Sequence, residues 1–187
     1  MRTRAFVRSF RPVLALLVAV WAVELVNWAL GHRLVPWLGL EPRSLPGLIG
    51  VPLMPFLHTS LDHAAANTVP LAILGGLGML VAPRRFPTAT VAIVLISGLA
   101  VWVLARPHSI HVGASGLIFG WFGYLLALGF LERSFRAIAG SVIVIAVYGG
   151  LVWGMLPRFG AAISWEAHVF GALTGIGVAW LLGGRRR

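Results

Sequence analysis

Long apolar blocks, separated by short stretches rich in Arg and Pro, divide this chain of 187 residues. Several blocks approach the roughly 20 residues that an α-helix needs to cross a bilayer. Because lipid offers the backbone no hydrogen-bond partners, only helices and closed barrels can span it. With 59% hydrophobic and 11% charged residues, the chain has too few polar groups to cover a water-soluble globule. The sequence therefore predicts an all-α, multi-pass membrane protein.

Six blocks have the length and composition of membrane spans. The first follows a short basic segment, 1–11, and exceeds the apolar part of a signal peptide, so we expect it to be retained. Five prolines interrupt the chain between the first two blocks, which predicts an interfacial loop there instead of a helix. A single membrane domain, 1–187, is expected. Its predicted spans are 12–30, 60–81, 88–104, 115–131, 137–156 and 163–182.

The basic residues predict how the spans are oriented. All 15 are Arg, and positively charged connections stay on the cytoplasmic side of a membrane. Placing both termini in the cytoplasm leaves most Arg inside, so this orientation is predicted. The formal net charge of +10 is thus interpreted as a topology signal, and no nucleic-acid partner is expected. The inner set is Arg2, Arg4, Arg8, Arg11, Arg84, Arg85, Arg133, Arg136, Arg185, Arg186 and Arg187; the outer set is Arg33, Arg43, Arg106 and Arg158.

In this orientation, polar side chains on three alternate spans lie at a similar shallow depth near the outer surface. The second span begins with His63 and Asn67, which share a helical face. The fourth begins with Ser115, and the sixth carries His168 about one turn in. Imidazole is costly in hydrocarbon unless it is paired or hydrated. We interpret Ser115 and His168 as a nucleophile and its general base.

Groups that stabilise an oxyanion are expected beside this pair. His63, Asn67 and the backbone N–H of Ser115 are predicted to donate to the charge that develops during acyl transfer. A helix beginning at Ser115 would add its free N–H groups and the positive end of its dipole. Gly and Ser alone are equally typical of helix packing. Their combination with two shallow histidines favours catalysis.

Small residues also predict close packing of the fourth and sixth spans. Gly116 and Gly120 are four residues apart, as are Gly171 and Gly175. This GxxxG spacing lets the backbones of two membrane helices approach each other. Bulky residues at these positions would hold Ser115 away from the sixth span.

The remaining polar residues are interpreted as structural. Glu24 and Asn27 share one face of the first span and are expected to form interhelical hydrogen bonds. A helix would point Glu166 away from His168, so a Ser–His dyad without a third acid is expected. His58 is expected to brace the loop that leads into the second span. Three histidines are predicted to be solvated in outer loops: His32, His108 and His111.

Taken together, the motifs resemble those of the rhomboid intramembrane serine proteases. A His-x4-His-x3-Asn arrangement begins at His58, GxSG spans 113–116, and AHxxGxxxG begins at Ala167. The resemblance covers spans two to six and implies a six-transmembrane-helix bundle. It also implies cleavage of membrane-anchored proteins in or near their transmembrane segments, without metal or cofactor. By motif position, Ser115 would be the nucleophile, His168 the base, and His63, Asn67 and Gly113 the oxyanion hole.

The implied partners are single-span transmembrane substrates and the lipid bilayer. The implied location is a bacterial cell membrane, with the active site on the extracytoplasmic side. One feature departs from the family pattern, since many members carry a Trp-Arg pair in the first loop and here Trp37 precedes Leu38. The anchoring of this loop is therefore expected to differ.

Other functions are less compatible with the pattern. A non-catalytic relative that binds and escorts transmembrane helices would tolerate loss of Ser115 or His168, and both are present. A channel or transporter would carry polar residues through the bilayer. Below the shallow cluster the spans are almost wholly apolar, and a metalloprotease is disfavoured because the sequence contains no HExxH. The polar exceptions below the cluster are Ser97, Ser141 and Thr174.

Overall fold

The computed structural model describes residues 10–157 and 164–183, and over these ranges the chain consists of helices and their connections. Six helices are long and apolar enough to cross a membrane, which confirms the predicted fold class. The basic ends and the predicted start of the sixth span at 163 lie outside the described residues. The long helices are α1 (Arg11–Ala29), α2 (Leu61–Val81), α3 (Phe86–Leu104), α4 (Ser115–Glu132), α5 (Phe135–Tyr148) and α6 (Trp165–Gly183). The fifth span reaches its full length only with the helical turns that continue α5 to Met155.

The proline-rich segment between α1 and α2 forms short helical turns instead of a span, as predicted. Proline lacks the backbone N–H that a continuing helix needs, and its ring clashes with the preceding turn. The segment therefore changes direction several times against the bundle. Its turns are Leu34–Leu38, Pro46–Ile49, Gly50–Leu53 and Met54–Phe56.

This first loop is anchored on the end of α3. The guanidinium of Arg43 donates to the carbonyls of Val103 and Ala105, at 3.0 and 2.9 Å. In return, the indole of Trp102 donates to the carbonyl of Ser44 at 2.8 Å. Arg and Trp thus hold the loop from two separate elements, in a chain that lacks the adjacent Trp-Arg pair.

The helix that begins with the candidate nucleophile is the central one. In α4, 67% of the apolar stretch is buried inside the protein, whereas in α1 only 22% is buried. A helix that is apolar all round belongs in such a position. It packs most extensively on α6, and also on α2, α3 and α5. Neighbours on all sides therefore hold the start of α4 in place.

Glycines bring α4 and α6 into backbone contact, as their spacing predicted. A Cβ atom added at Gly171 would collide with the backbone carbonyl of Gly116, and one at Gly175 with that of Gly120. Helices that touch through their backbones lie closer than helices separated by side chains. This approach places Ser115 and His168 within reach of each other.

The predicted span over 137–156 is not a continuous α-helix. The α-helical part, α5, ends at Tyr148, and tighter 3₁₀ turns follow over Gly149–Met155. The adjacent Gly149 and Gly150 favour this change because glycine is a poor α-helix former. As a result the carbonyl of Gly154 reaches the start of α6.

The polar pair in α1, Glu24 and Asn27, is fully buried, but its hydrogen-bond partners lie in the first loop and not on another span as expected. The amide of Asn27 donates to the carbonyl of His58 at 2.9 Å, and its oxygen accepts from the N–H of Leu34 at 3.2 Å. Glu24 lies 3.2 Å from the ring of His32. The prediction that His32 is simply solvated was therefore wrong, because it folds back onto this carboxylate.

Candidate active site

The turn before α4 requires a glycine. Gly113 has a φ of +115°, a backbone conformation that side chains disfavour. A Cβ atom there would lie 2.9 Å from the ring of His63 and 3.7 Å from Oγ of Ser115. The turn therefore carries the chain close to His63 and begins α4 at Ser115. No side chain caps this helix start, so the N–H groups of its first turn keep their capacity to bind an oxygen anion.

Ser115 and His168 are directly hydrogen bonded. Oγ of Ser115 lies 2.8 Å from Nε2 of His168, and Nδ1 of the same ring lies 2.8 Å from the carbonyl oxygen of Gly154. Because a carbonyl can only accept, Nδ1 carries the proton of the neutral ring. Nε2 is then free to accept from the serine hydroxyl. This is the tautomer that a general base needs.

Phe119 fixes the plane of the imidazole. Its ring stacks on His168, with 4.1 Å between the ring centroids and 5° between the planes. Phe119 lies four residues after Ser115 and so shares its helical face. The histidine is thus held by stacking, by Gly154 and by the serine itself. Phe119 was not identified from the sequence, although its position four residues after Ser115 was a visible signal. Gly154 was not identified either, because a backbone carbonyl leaves no signal in the sequence.

His63 is positioned by a cap at the start of α2. The hydroxyl of Ser60 accepts from the backbone N–H of His63 at 3.1 Å, which sets the helix start three residues before the histidine. Its Nδ1 lies 3.2 Å from the hydroxyl of Thr59, and its ring lies against Gly113. The structure therefore brings His63 to the turn that precedes Ser115.

Asn67 lies one turn further along α2 and is buried. One N–H of its amide donates to the carbonyl of His63 at 3.2 Å. An amide carries two such donors. The second N–H is therefore available to an oxygen bound at the site.

His58 braces the loop before α2. It is fully buried, and its Nε2 accepts from the backbone N–H of Ala114 at 3.4 Å. Its ring meets that of His63 edge to face, with centroids 4.9 Å apart. Burial, helped by the proximity of His63, lowers the pKa of His58 to about 4. The ring is consequently neutral at physiological pH and can act as an acceptor.

The prediction that His111 is solvated was wrong, since only 2% of the residue is exposed. Its backbone pairs with Leu40 of the first loop. Nε2 lies 2.9 Å from the hydroxyl of Ser109, and Nδ1 is hydrogen bonded to that of Ser164. Burial lowers the pKa of His111 to about 4. The loop folds against the start of α6, and polar partners there replace the water that the sequence implied.

Glu166 forms a buried ion pair with Arg106, whereas the ring nitrogens of His168 are hydrogen bonded to Gly154 and Ser115. A second contact of the same pair, from Nη2 of Arg106, measures 3.2 Å. Two polar contacts, His111 with Ser164 and Arg106 with Glu166, thus connect the loop before Ser115 to the start of the helix that carries His168. In the part of the chain that the structure describes, no three His, Asp or Glu side chains are grouped as metal ligands would be.

The two buried loop histidines predict a loss of stability in acid. Their folded pKa values of about 4 lie below the ordinary 6.5. Between about pH 6.5 and pH 4, the unfolded chain therefore binds more protons than the folded chain. We expect the free energy of unfolding to fall between pH 6.5 and 4, by up to roughly 3 kcal/mol per histidine, and to level off below.

This pH dependence can be measured as the melting temperature in detergent at a series of pH values. His111→Gln is expected to flatten the curve. His108→Asn, in the same loop but exposed, is expected to leave it unchanged. An identical curve for all three proteins would show that His111 is not buried in its neutral form.

Sequence comparison identifies a matching family and several similar proteins. A model of the Rhomboid domain family matches residues 47–185, a range that contains His58, Ser115 and His168. "Uncharacterized protein Rv1337" of Mycobacterium tuberculosis is 37% identical over 182 residues, covering 94% of this chain and 75% of its own length. A Mycobacterium leprae protein, "Uncharacterized protein ML1171", is 34% identical over 94% of this chain and 72% of its own.

A more distant similarity extends to a relative with a functional name. "Putative rhomboid protease YdcA" of Bacillus subtilis is 26% identical over 95% of this chain and 92% of its own length. The family match covers most of the chain, and the six apolar helices agree with it. This chain belongs to the rhomboid family, whose members are generally intramembrane serine proteases.

Proposed function

We propose that the protein is a serine endopeptidase that cleaves membrane-anchored proteins in or near their transmembrane segments. One observation carries the proposal: Nε2 of His168 lies 2.8 Å from Oγ of Ser115, while Nδ1 is bonded to a carbonyl. Few structural roles require a serine and a histidine in this tautomer at the end of a membrane helix. Membership of the rhomboid family supports the same reaction.

In the proposed mechanism, Nε2 of His168 takes the hydroxyl proton as Oγ of Ser115 attacks the scissile carbonyl carbon. The carbon–nitrogen bond then breaks, and the leaving amine receives that proton. Water hydrolyses the resulting ester by the same two steps. The carbonyl of Gly154 accepts from Nδ1 throughout and so stabilises the transient imidazolium, in place of a carboxylate.

The negative charge of the tetrahedral intermediate would be stabilised by donors around the turn. We assign this role to the backbone N–H of Ser115 and to the side chains of His63 and Asn67. A Cβ atom at Gly113 would lie 2.9 Å from the ring of His63 and 3.7 Å from Oγ of Ser115, so the glycine leaves space open beside that oxygen. Such preorganised donors are commonly the largest single contribution to acyl transfer.

Asn67→Ala is expected to lower kcat by roughly a hundredfold, because it removes one oxyanion donor. The Michaelis constant should change little, since the donor acts mainly in the transition state. Labelling of Ser115 by a fluorophosphonate is expected to persist in the variant. A variant that neither cleaves nor labels would show that Asn67 instead maintains the fold around the dyad.

The function itself is tested by reconstituting the purified protein in liposomes with single-span reporter proteins. Cleavage is expected under excess metal chelator, together with covalent labelling of Ser115 by a fluorophosphonate. If several reporters stay intact but are retained by the protein, it binds transmembrane helices without cutting them, as an escort would.

We further propose that the protein lies in a bacterial cell membrane with its active site facing away from the cytoplasm. The Arg distribution supports this orientation. The chain contains no cysteine, so single cysteines report topology without background. In intact cells, His108→Cys is expected to react with a membrane-impermeant thiol reagent. Phe135 is 87% exposed at the opposite end of the bundle, and Phe135→Cys is expected to react only after lysis. The reverse pattern would invert the orientation.

A further inference from the structure

A lipid-facing groove lies between α1 and α3, and neither Ser115 nor His168 lines it. α1 packs mainly on α2, and α3 packs on α4 and α6, so the space between them remains open. The groove has a volume of about 360 Å³, and its walls are almost entirely apolar. Leu117 and Trp121 of α4 form its floor. Its walls include Pro12 and Leu16 of α1, Phe86 and Val91 of α3, and Pro55 of the first loop.

The length of the groove corresponds to one leaflet of a bilayer. Its lining follows α3 from Phe86 to Leu95, which is about 14 Å at 1.5 Å per residue. Half of the hydrocarbon core is about 15 Å thick. The groove begins at the first turns of α1 and α3 and ends at the first loop, near the middle of the bundle. A single acyl chain of one leaflet has this length and polarity.

Two arginines lie near the end of the groove that the first turns of α1 and α3 form. Arg11 immediately precedes the groove residue Pro12, and Arg84, which lines a neighbouring cavity beside Glu132, lies two residues before the groove residue Phe86. Both are exposed, and within residues 10–157 and 164–183 neither makes an ion pair. Glu132, the acidic residue at this end of the bundle, is paired with Arg85. Positive charge at the end of an apolar groove between membrane helices complements the phosphate of an anionic lipid.

We propose that this groove is a binding site for an anionic phospholipid. The phosphate pairs with Arg11 and Arg84, and one acyl chain lies along the exposed side chains of Val91 and Leu95. The site is independent of the proposed proteolysis.

The test is native mass spectrometry of the delipidated protein titrated with phosphatidylglycerol or phosphatidylcholine. Wild type is expected to bind one phosphatidylglycerol selectively. Replacing Arg11 and Arg84 by Gln should weaken this binding on the order of tenfold. The matched control replaces the exposed Arg133 and Arg136 by Gln, which removes the same charge from the same end of the bundle. It is expected to behave as wild type.

A second pair of variants tests the apolar part without changing charge. Val91 and Val142 are each 59% exposed, but only Val91 lines the groove. Val91→Phe is expected to weaken phosphatidylglycerol binding, and Val142→Phe is not. If the two double arginine variants lose phosphatidylglycerol binding equally, the attraction is a general property of the charged surface, and the proposal is overturned. Equal affinity for the two lipids, or unchanged binding in Val91→Phe, would also overturn it.

Discussion

Ser115→Ala and His168→Ala are each expected to lower cleavage of a single-span reporter by roughly four orders of magnitude or more. The two side chains act as one unit, since Nε2 of His168 accepts the proton that Oγ of Ser115 must lose. The double variant should therefore be no slower than either single variant. The measurement is the amount of reporter fragment released in liposomes under excess metal chelator.

Matched controls separate chemistry from folding. Ser97→Ala removes a buried hydroxyl that has no hydrogen-bond partner among the described residues, and His108→Asn alters an exposed histidine. Both are expected to cleave at the wild-type rate. All variants should keep the wild-type melting temperature within a few degrees. If Ser115→Ala and His168→Ala cleave as fast as wild type, the measured cleavage does not depend on the dyad, and the proposed mechanism is overturned.

The second large effect is expected at the contact between α4 and α6. In Gly175→Val, the added side chain would overlap the backbone carbonyl of Gly120, and a backbone cannot rotate aside as a side chain can. Such overpacking costs about 1–3 kcal/mol or more. It would also separate Ser115 from His168, and a displacement of about 1 Å can lower the rate a hundredfold. We expect both the melting temperature and kcat to fall.

Gly177→Val is the matched control on the same helix. A Cβ atom at Gly177 meets no other atom within 4 Å, so this variant should keep its stability and activity. The measurement compares melting temperature and reporter cleavage for the two valine variants. Equal behaviour of Gly175→Val and Gly177→Val would show that close backbone packing does not position the dyad.

The six helices could be predicted because each apolar block is long enough to cross a bilayer and is bounded by Arg, Pro or Gly. The proximity of Ser115 and His168 could be predicted because alternate spans begin on the same side and share GxxxG spacing. The point at which α5 ends could not be predicted from the sequence. Length and hydropathy are the same for an α-helix and for 3₁₀ turns, so the change at Gly149 left no clear signal in the apolar pattern.

The sequence by itself determined the class of the protein, its six helices, and the residue types available for a dyad, because local composition controls which segments lipid can accept. Only the tertiary structure decided which partners those residues meet. It buried His111 between Ser109 and Ser164 and aimed the carbonyl of Gly154 at His168. Contacts between distant segments depend on packing in three dimensions, and a backbone carbonyl is the same in every residue, so neither can be read from residue identity along the chain.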